Sequence, residues 1–92
     1  MYDVVASSRF KKDLKLAIKR GLDISLLDAV VTTLQKGESL PAKNKDHALT
    51  GNYTGCRECH IQPDWLLVYL KEDDVLVLTL VDTGTHADLF EM

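Results

Sequence analysis

The chemistry open to this 92-residue chain is set by three histidines, His47, His60 and His86. Imidazole is the one side chain whose ordinary pKa lets it give and take protons near neutrality. The densest cluster of functional groups is Cys56-Arg57-Glu58-Cys59-His60, with Asp64 four residues further on, past Pro63. In an extended strand, alternation places Cys56, Glu58 and His60 on one face and Arg57 and Cys59 on the other. A tight turn after His60 would let a hairpin bring the Asp64 carboxylate to that imidazole, raising its pKa and orienting its ring. His86 follows Gly84, and His47 lies in the segment leading into the sheet. All three fall in or beside loops, where catalytic groups concentrate.

These residue types move protons, and Lys43, Lys45 and Arg57 attract phosphate. Neither a serine elbow nor a phosphate-cradling glycine loop is present. RNA suits such a set because it carries its own nucleophile, the 2′-hydroxyl. The protein need only deprotonate that oxygen, protonate the leaving 5′-oxygen and stabilise the charged phosphorane. Each proton-transfer group contributes roughly 10²–10⁴-fold. Taken singly, every one of these residues also has a structural explanation. A histidine near a turn can be a surface hydrogen-bonding group, Asp64 a turn residue, Trp65 core, and Phe90 packing on the sheet.

The residues argue against two metal readings of the cysteines. Cys56-x-x-Cys59-His60 matches the pattern for covalent haem attachment, but that maturation belongs to exported proteins and no export signal is visible. The methionines, Met1 and Met92, sit at the termini, away from any axial position. As a zinc half-site the pair would need His47 or His86 to join it. Residues three apart on a strand lie about 10 Å apart and on opposite faces, too far for zinc and beyond the ~7 Å limit for a disulfide. Cys59 reads as a small buried apolar residue.

The elements that must position this chemistry follow from patterning. Tyr2–Ala6 reads as a short strand. Ser7 or Ser8 caps a helix with Phe10, Leu14, Ala17 and Ile18 on one side, ended by Gly21. Asp23 caps a second helix burying Leu27, Val30, Val31 and Leu34, closed by Gly37; the short link predicts an antiparallel helix hairpin. Glu38–Gly51 reads as a loop. From Tyr53 the period becomes two, with strands at Tyr53–Ile61, Trp65–Lys71 and Val75–Asp82 joined by short turns, which makes neighbours antiparallel. Leu66, Val68 and Leu70, with Leu76, Leu78 and Leu80, are the expected helix-facing side. Thr85-His86-Ala87-Asp88 resembles a capping box for a last helical turn through Phe90. The β-α-α-β-β-β order gives an α+β fold: an antiparallel meander sheet with an N-terminal strand and a helix hairpin on one face.

Length and composition agree. Ninety-two residues suit one domain, 1–92, with a single compact core. With 46% hydrophobic and 27% charged residues the chain is of the ordinary globular class. No apolar run approaches the ~20 residues of a membrane span, and the N-terminus lacks the basic-then-apolar pattern of a signal peptide. A cytoplasmic protein is expected. The formal charge of −3 is lopsided: residues 1–45 carry nine basic and five acidic side chains, residues 46–92 two and nine. Such asymmetry favours an electrostatically directed partner.

The composite His47-x-Leu49-x-Gly51-x-Tyr53-x-Gly55-x-Arg57-x-x-His60-Ile61-x-Pro63-Asp64-Trp65-x-Leu67-x-Tyr69, followed by Thr83-Gly84-Thr85-His86-x-x-Leu89-Phe90, closely resembles YafQ-type toxins of the RelE/ParE superfamily. The resemblance covers essentially the whole chain. It implies a RelE-like fold and a ribosome-dependent endoribonuclease that cuts mRNA. It also implies neutralisation by a cognate antitoxin, usually of ribbon-helix-helix type, with operator DNA bound only through that complex. No metal or cofactor is implied. His47, His60, Asp64 and His86 match the family's catalytic positions, with His86 as general acid and a His60/Asp64 pair on the base side, or with those two roles exchanged. His47 and Arg57 would orient or neutralise phosphate. Further substrate contacts would come from Glu58, Trp65, Phe90, Lys43 and Lys45. The alternative within the superfamily is a non-enzymatic ParE-like toxin acting by binding a protein target, for which three histidines would have no use. Two departures stand out. The chain is net acidic where many relatives are basic, so any grip on ribosomal RNA would depend on Lys11, Lys12, Lys15, Lys19, Arg20, Lys43 and Lys45. The two cysteines are also foreign to the family pattern.

Overall fold

The computed structural model describes residues 1–90. In chain order it contains β1 (Asp3–Ala6), α1 (Ser8–Lys19), α2 (Ile24–Gln35), β2 (His47–Ala48), β3 (Arg57–Gln62), β4 (Trp65–Glu72), β5 (Val77–Gly84) and α3 (His86–Phe90). The five strands form one sheet in the order β1-β5-β4-β3-β2. β1 runs parallel to β5, and the other pairings are antiparallel. The α+β architecture expected from the sequence is thus present. Among the described residues no helix is long and apolar enough to cross a membrane.

Local chemistry explains the helix hairpin. Ser7 Oγ accepts from the Phe10 amide at 2.9 Å and donates to the Val81 carbonyl at 2.7 Å, so one hydroxyl both caps α1 and ties it to β5. Asp23 caps α2 by accepting from the Ser25 amide. Between the helices Gly21 takes a φ of 77°, the left-handed conformation that glycine adopts most readily. The helices bury Phe10, Ala17, Leu27, Val30 and Leu34 against Cys59, Trp65, Leu67, Tyr69, Leu78 and Leu80. A smaller cluster covers the opposite face, where Leu66, Val68 and Leu89 gather Leu49, Tyr53, Cys56, Val81 and Phe90.

That second cluster corrects one expectation. Leu66 and Val68 face away from the helices, and Trp65, Leu67 and Tyr69 take their place. β4 is the central strand, and its residues from Trp65 to Tyr69 are buried without alternation, so its apolar run carries no period-two signal to mark a face. A bulge adds to the difficulty. Val68 pairs with Asp82 and Tyr69 with Leu80, which leaves Val81 as the extra residue. Leu78 and Leu80 keep the helix side while Asp82 turns to the other. Leu76 sits exposed ahead of β5 with a φ of 52°.

Boundaries moved as well. β3 begins at Arg57 because Gly51–Tyr53 forms a 3₁₀ turn, and β5 continues to Gly84. The expected loop Glu38–Gly51 contains the two-residue strand β2, paired with Glu58 and Arg57. Cys56 and Cys59 are free thiols in the two separate clusters. Cys59 is fully enclosed, and burial pushes its thiol up to about 12.

Candidate active site

The three histidines converge on the face opposite the helix hairpin, each brought by a different element. His47 arrives on β2, whose pairing sets it directly across from Glu58 on β3. Its approach is prepared by Asn44, a buried amide that donates to the His60 carbonyl at 2.7 Å, and by Lys45, which turns the chain with a φ of 48°. His60 lies at the end of β3, where the ladder is irregular between His60 and Gln62. His86 opens α3, directly beyond β5.

All three rings are held in the same way. His47 Nδ1 lies 2.7 Å from the Lys45 carbonyl and His60 Nδ1 lies 3.1 Å from the Pro63 carbonyl. His86 Nδ1 lies 3.2 Å from Asp64 Oδ1. Each of these partners can only accept, so Nδ1 carries the proton and donates it. That leaves Nε2 as the chemically active end of every ring. Glu58 Oε1 stands 3.5 Å from His47 Nε2 and 3.9 Å from His60 Nε2, on a side chain only 5% exposed. The His60 and His86 ring centroids are 5.7 Å apart. The His86 and Phe90 centroids are 6.3 Å apart, and Phe90 meets Tyr53 edge-on at 5.7 Å.

α3 is short and depends on its start. The Thr85 amide donates to Asp88 Oδ2 and the Asp88 amide to Thr85 Oγ1, the reciprocal capping box expected from the sequence. Arg20, which caps the end of α1, grips the same carboxylate with two guanidinium nitrogens, at 2.6 and 3.3 Å. This pairing and the Thr85 amide hold the Asp88 carboxyl down to about 2. Gly84 is required here because a Cβ would stand 2.9 Å from Asp88 Oδ2. Arg20, expected among the phosphate-attracting residues, is therefore engaged in holding α3 to α1.

Two further expectations change. Asp64 pairs with His86, whose ring and backbone amide both approach its Oδ1, and His60 instead takes Glu58. The hairpin turn aims the Pro63 carbonyl at His60 and leaves Asp64 facing α3. Arg57 and Trp65 do not join the imidazoles. Arg57 lies on the helix side against Asp46, which also accepts from the Tyr69 hydroxyl. Trp65 is core, its indole N–H donating to Thr83 Oγ1 at 2.9 Å. Lys43 and Lys45 flank His60 along a hollow of about 350 Å³ that also includes Gln62 and Pro63. Two buried polar residues, Asn44 and Asp82, lie outside the set expected from the sequence. The second had a usable signal, an acidic residue inside an otherwise apolar strand.

Ligand atoms of Glu58, His60 and His86 lie within 4.8 Å of one another. Donors each ~2.0–2.1 Å from a zinc ion stand no more than about 4.2 Å apart, so a metal could enter after modest side-chain rotation.

The family model described as the bacterial toxin of type II toxin–antitoxin systems, YafQ, matches residues 2–91. The chain belongs to the YafQ family. It is 43% identical over 89 residues to the mRNA interferase toxin YafQ of Escherichia coli K12, covering 96% of this chain and 95% of that one. The crystal structure of YafQ from E. coli BL21(DE3) superimposes with a TM-score of 0.91 at 41% identity, covering 98% of this chain and 99% of that one. A metal-bound toxin from Helicobacter pylori gives a TM-score of 0.92 at 43% identity, covering 98% and 100%. YafQ in its crystal complex with DinJ gives 0.87 at 42% identity, covering 97% of each chain.

Proposed function

We propose that this chain is an endoribonuclease toxin that cleaves mRNA on the ribosome, in the cytoplasm, by attack of the RNA's own 2′-hydroxyl. The observation that carries the reading is the common tethering of three imidazoles through Nδ1, with the Nε2 atoms of His47 and His60 turned to Glu58 and His86 beside them. Glu58 and His60 form the base side: His60 Nε2 takes the 2′-hydroxyl proton while the new 2′-O–P bond forms. His86, braced by Asp64, gives its Nε2 proton to the leaving 5′-oxygen as the P–O5′ bond breaks. The products are a 2′,3′-cyclic phosphate and a 5′-hydroxyl. His47 sits where it can share charge with Glu58 and the phosphorane, and Lys43 and Lys45 supply positive charge beside His60. Phe90 offers a ring on which a base can stack.

By analogy with the DinJ complex of its relative, a cognate antitoxin of ribbon-helix-helix type is the proposed partner, with operator DNA contacted only through it. The test is to map transcript 5′ ends after brief induction, with translation running and with translation blocked. New ends confined to translated messages in the running arm are expected. An unchanged transcript map, despite arrested growth, would overturn the proposal.

A further inference from the structure

An open hollow of about 650 Å³ adjoins the imidazole cluster through Phe90, which lines it and whose ring centroid is 6.3 Å from that of His86. Its walls include Arg9, Thr50, Asn52, Tyr53 and Phe90. Its volume falls in the range of small-ligand sites, ~300–1,000 Å³, and of its walls the catalytic account uses only Phe90.

Beneath it lies Asp82, a carboxylate 1% exposed in the middle of β5. A buried charge is costly unless it is paired. Asp82 Oδ2 accepts from the Tyr53 hydroxyl at 2.8 Å, and Arg9 Nε stands 2.9 Å from Oδ1. The Arg9 contact is ionic rather than a well-aligned hydrogen bond, since Oδ1 has no donor in hydrogen-bonding geometry among the described residues. Arg9 keeps 58% of its side chain exposed, so one end is anchored while the rest faces the hollow. The same buried carboxylate thus fixes a cation and an aromatic ring in one wall, and that ring supports Phe90 edge-on. Asp88, also on the rim, is already neutralised by Arg20 and the Thr85 amide. Asn52 is exposed and its side chain makes no hydrogen bond within the described residues, leaving its amide open to a base edge.

We propose that this hollow is a nucleotide subsite for the residue downstream of the scissile bond, with Arg9 binding the next 3′ phosphate. The guanidinium fork matches a phosphate, the aromatic wall matches a base, and Asn52 can read its edge. The direction follows from His86, the proposed donor to the leaving 5′-oxygen, whose ring centroid is 6.3 Å from that of Phe90 in the hollow's wall. The inference rests on the nuclease reading above.

The test uses the whole protein with ribosomes programmed by short synthetic mRNAs carrying a single neutral methylphosphonate, under single-turnover conditions. The parent should cut more slowly, by roughly 10-fold, when the phosphate immediately 3′ to the scissile one is neutralised. Arg9→Gln should lose a similar factor on normal RNA and be indifferent to that substitution. Arg9→Lys, which keeps the charge near Asp82 but loses the fork, should fall between them. Asn52→Ala, at an exposed position with no fold to disturb, should retain the parental Tm and lose roughly 3-fold. An abasic downstream nucleotide should erase that difference. A parent insensitive to the methylphosphonate, or an Arg9→Gln variant as sensitive as the parent, would overturn the subsite while leaving the nuclease reading intact. Absence of cleavage by the parent would instead remove the nuclease reading, and the subsite with it.

Discussion

The site has two halves built on different principles. On the β2–β3 side, His47 and His60 share Glu58, a carboxylate 5% exposed and set by strand register. On the α3 side, His86 relies on Asp64, which is 71% exposed, and on a five-residue helix tied to α1 through Arg20 and Asp88. A backbone ladder holds the first half, so its geometry survives as long as the sheet does. Side chains at the surface hold the second, where ion pairs are weak and screened by salt. Under the proposed mechanism the base side is therefore preset and the acid side adjustable, which suits a group that must meet a leaving oxygen on a large substrate.

The sharpest way to break the comparison is to remove the acid. His86→Ala should reduce cleavage by roughly 10²–10⁴-fold and abolish growth arrest, with antitoxin binding retained; the check is single-turnover cleavage alongside pull-down by the antitoxin. Phe90→Ala comes next, since loss of a stacking ring is worth ~1–3 kcal/mol. It should slow cleavage on ribosomes while leaving the fold intact by circular dichroism, and cleavage equal to the parent's would mean that Phe90 only packs on Tyr53.

The strap gives a smaller effect of a different kind. Arg20→Gln should slow cleavage a few-fold at moderate salt and lower Tm by ~2–5 °C near neutrality. Asp88 is held at about 2 against an ordinary 3.8, so its contribution to stability is full above about pH 4 and disappears as pH falls towards 2. The melting curves of parent and Arg20→Gln should accordingly converge across that acid window. A constant gap would show that the pair does not act through the Asp88 charge. The smallest expected change is with chelator: EDTA should leave the rate of the purified toxin, given magnesium-stabilised ribosomes, within about two-fold, whereas added zinc should inhibit by occupying Glu58, His60 and His86.

Legibility in the sequence divides along similar lines. Ser7, Asp23, Gly21 and the Thr85–Asp88 box announced the helix ends because capping is local chemistry. The shared face of Cys56, Glu58 and His60 followed from strand alternation. The facing of β4 was hidden because that strand is buried on both sides. Nearness in sequence points Asp64 at His60, whereas its partner in the fold, His86, comes from 22 residues away across the sheet. β2 escaped because two residues carry no period, although its single pairing is what delivers His47 to Glu58.

The most direct measurement is the pH dependence of single-turnover cleavage, from about pH 5 to 8, for the parent and His86→Ala. Two imidazoles exchanging protons through Nε2 predict a bell for the parent, and a residual rate in His86→Ala that keeps the acidic limb and loses the alkaline one. A flat parental profile, or an alkaline limb that survives without His86, would contradict the account.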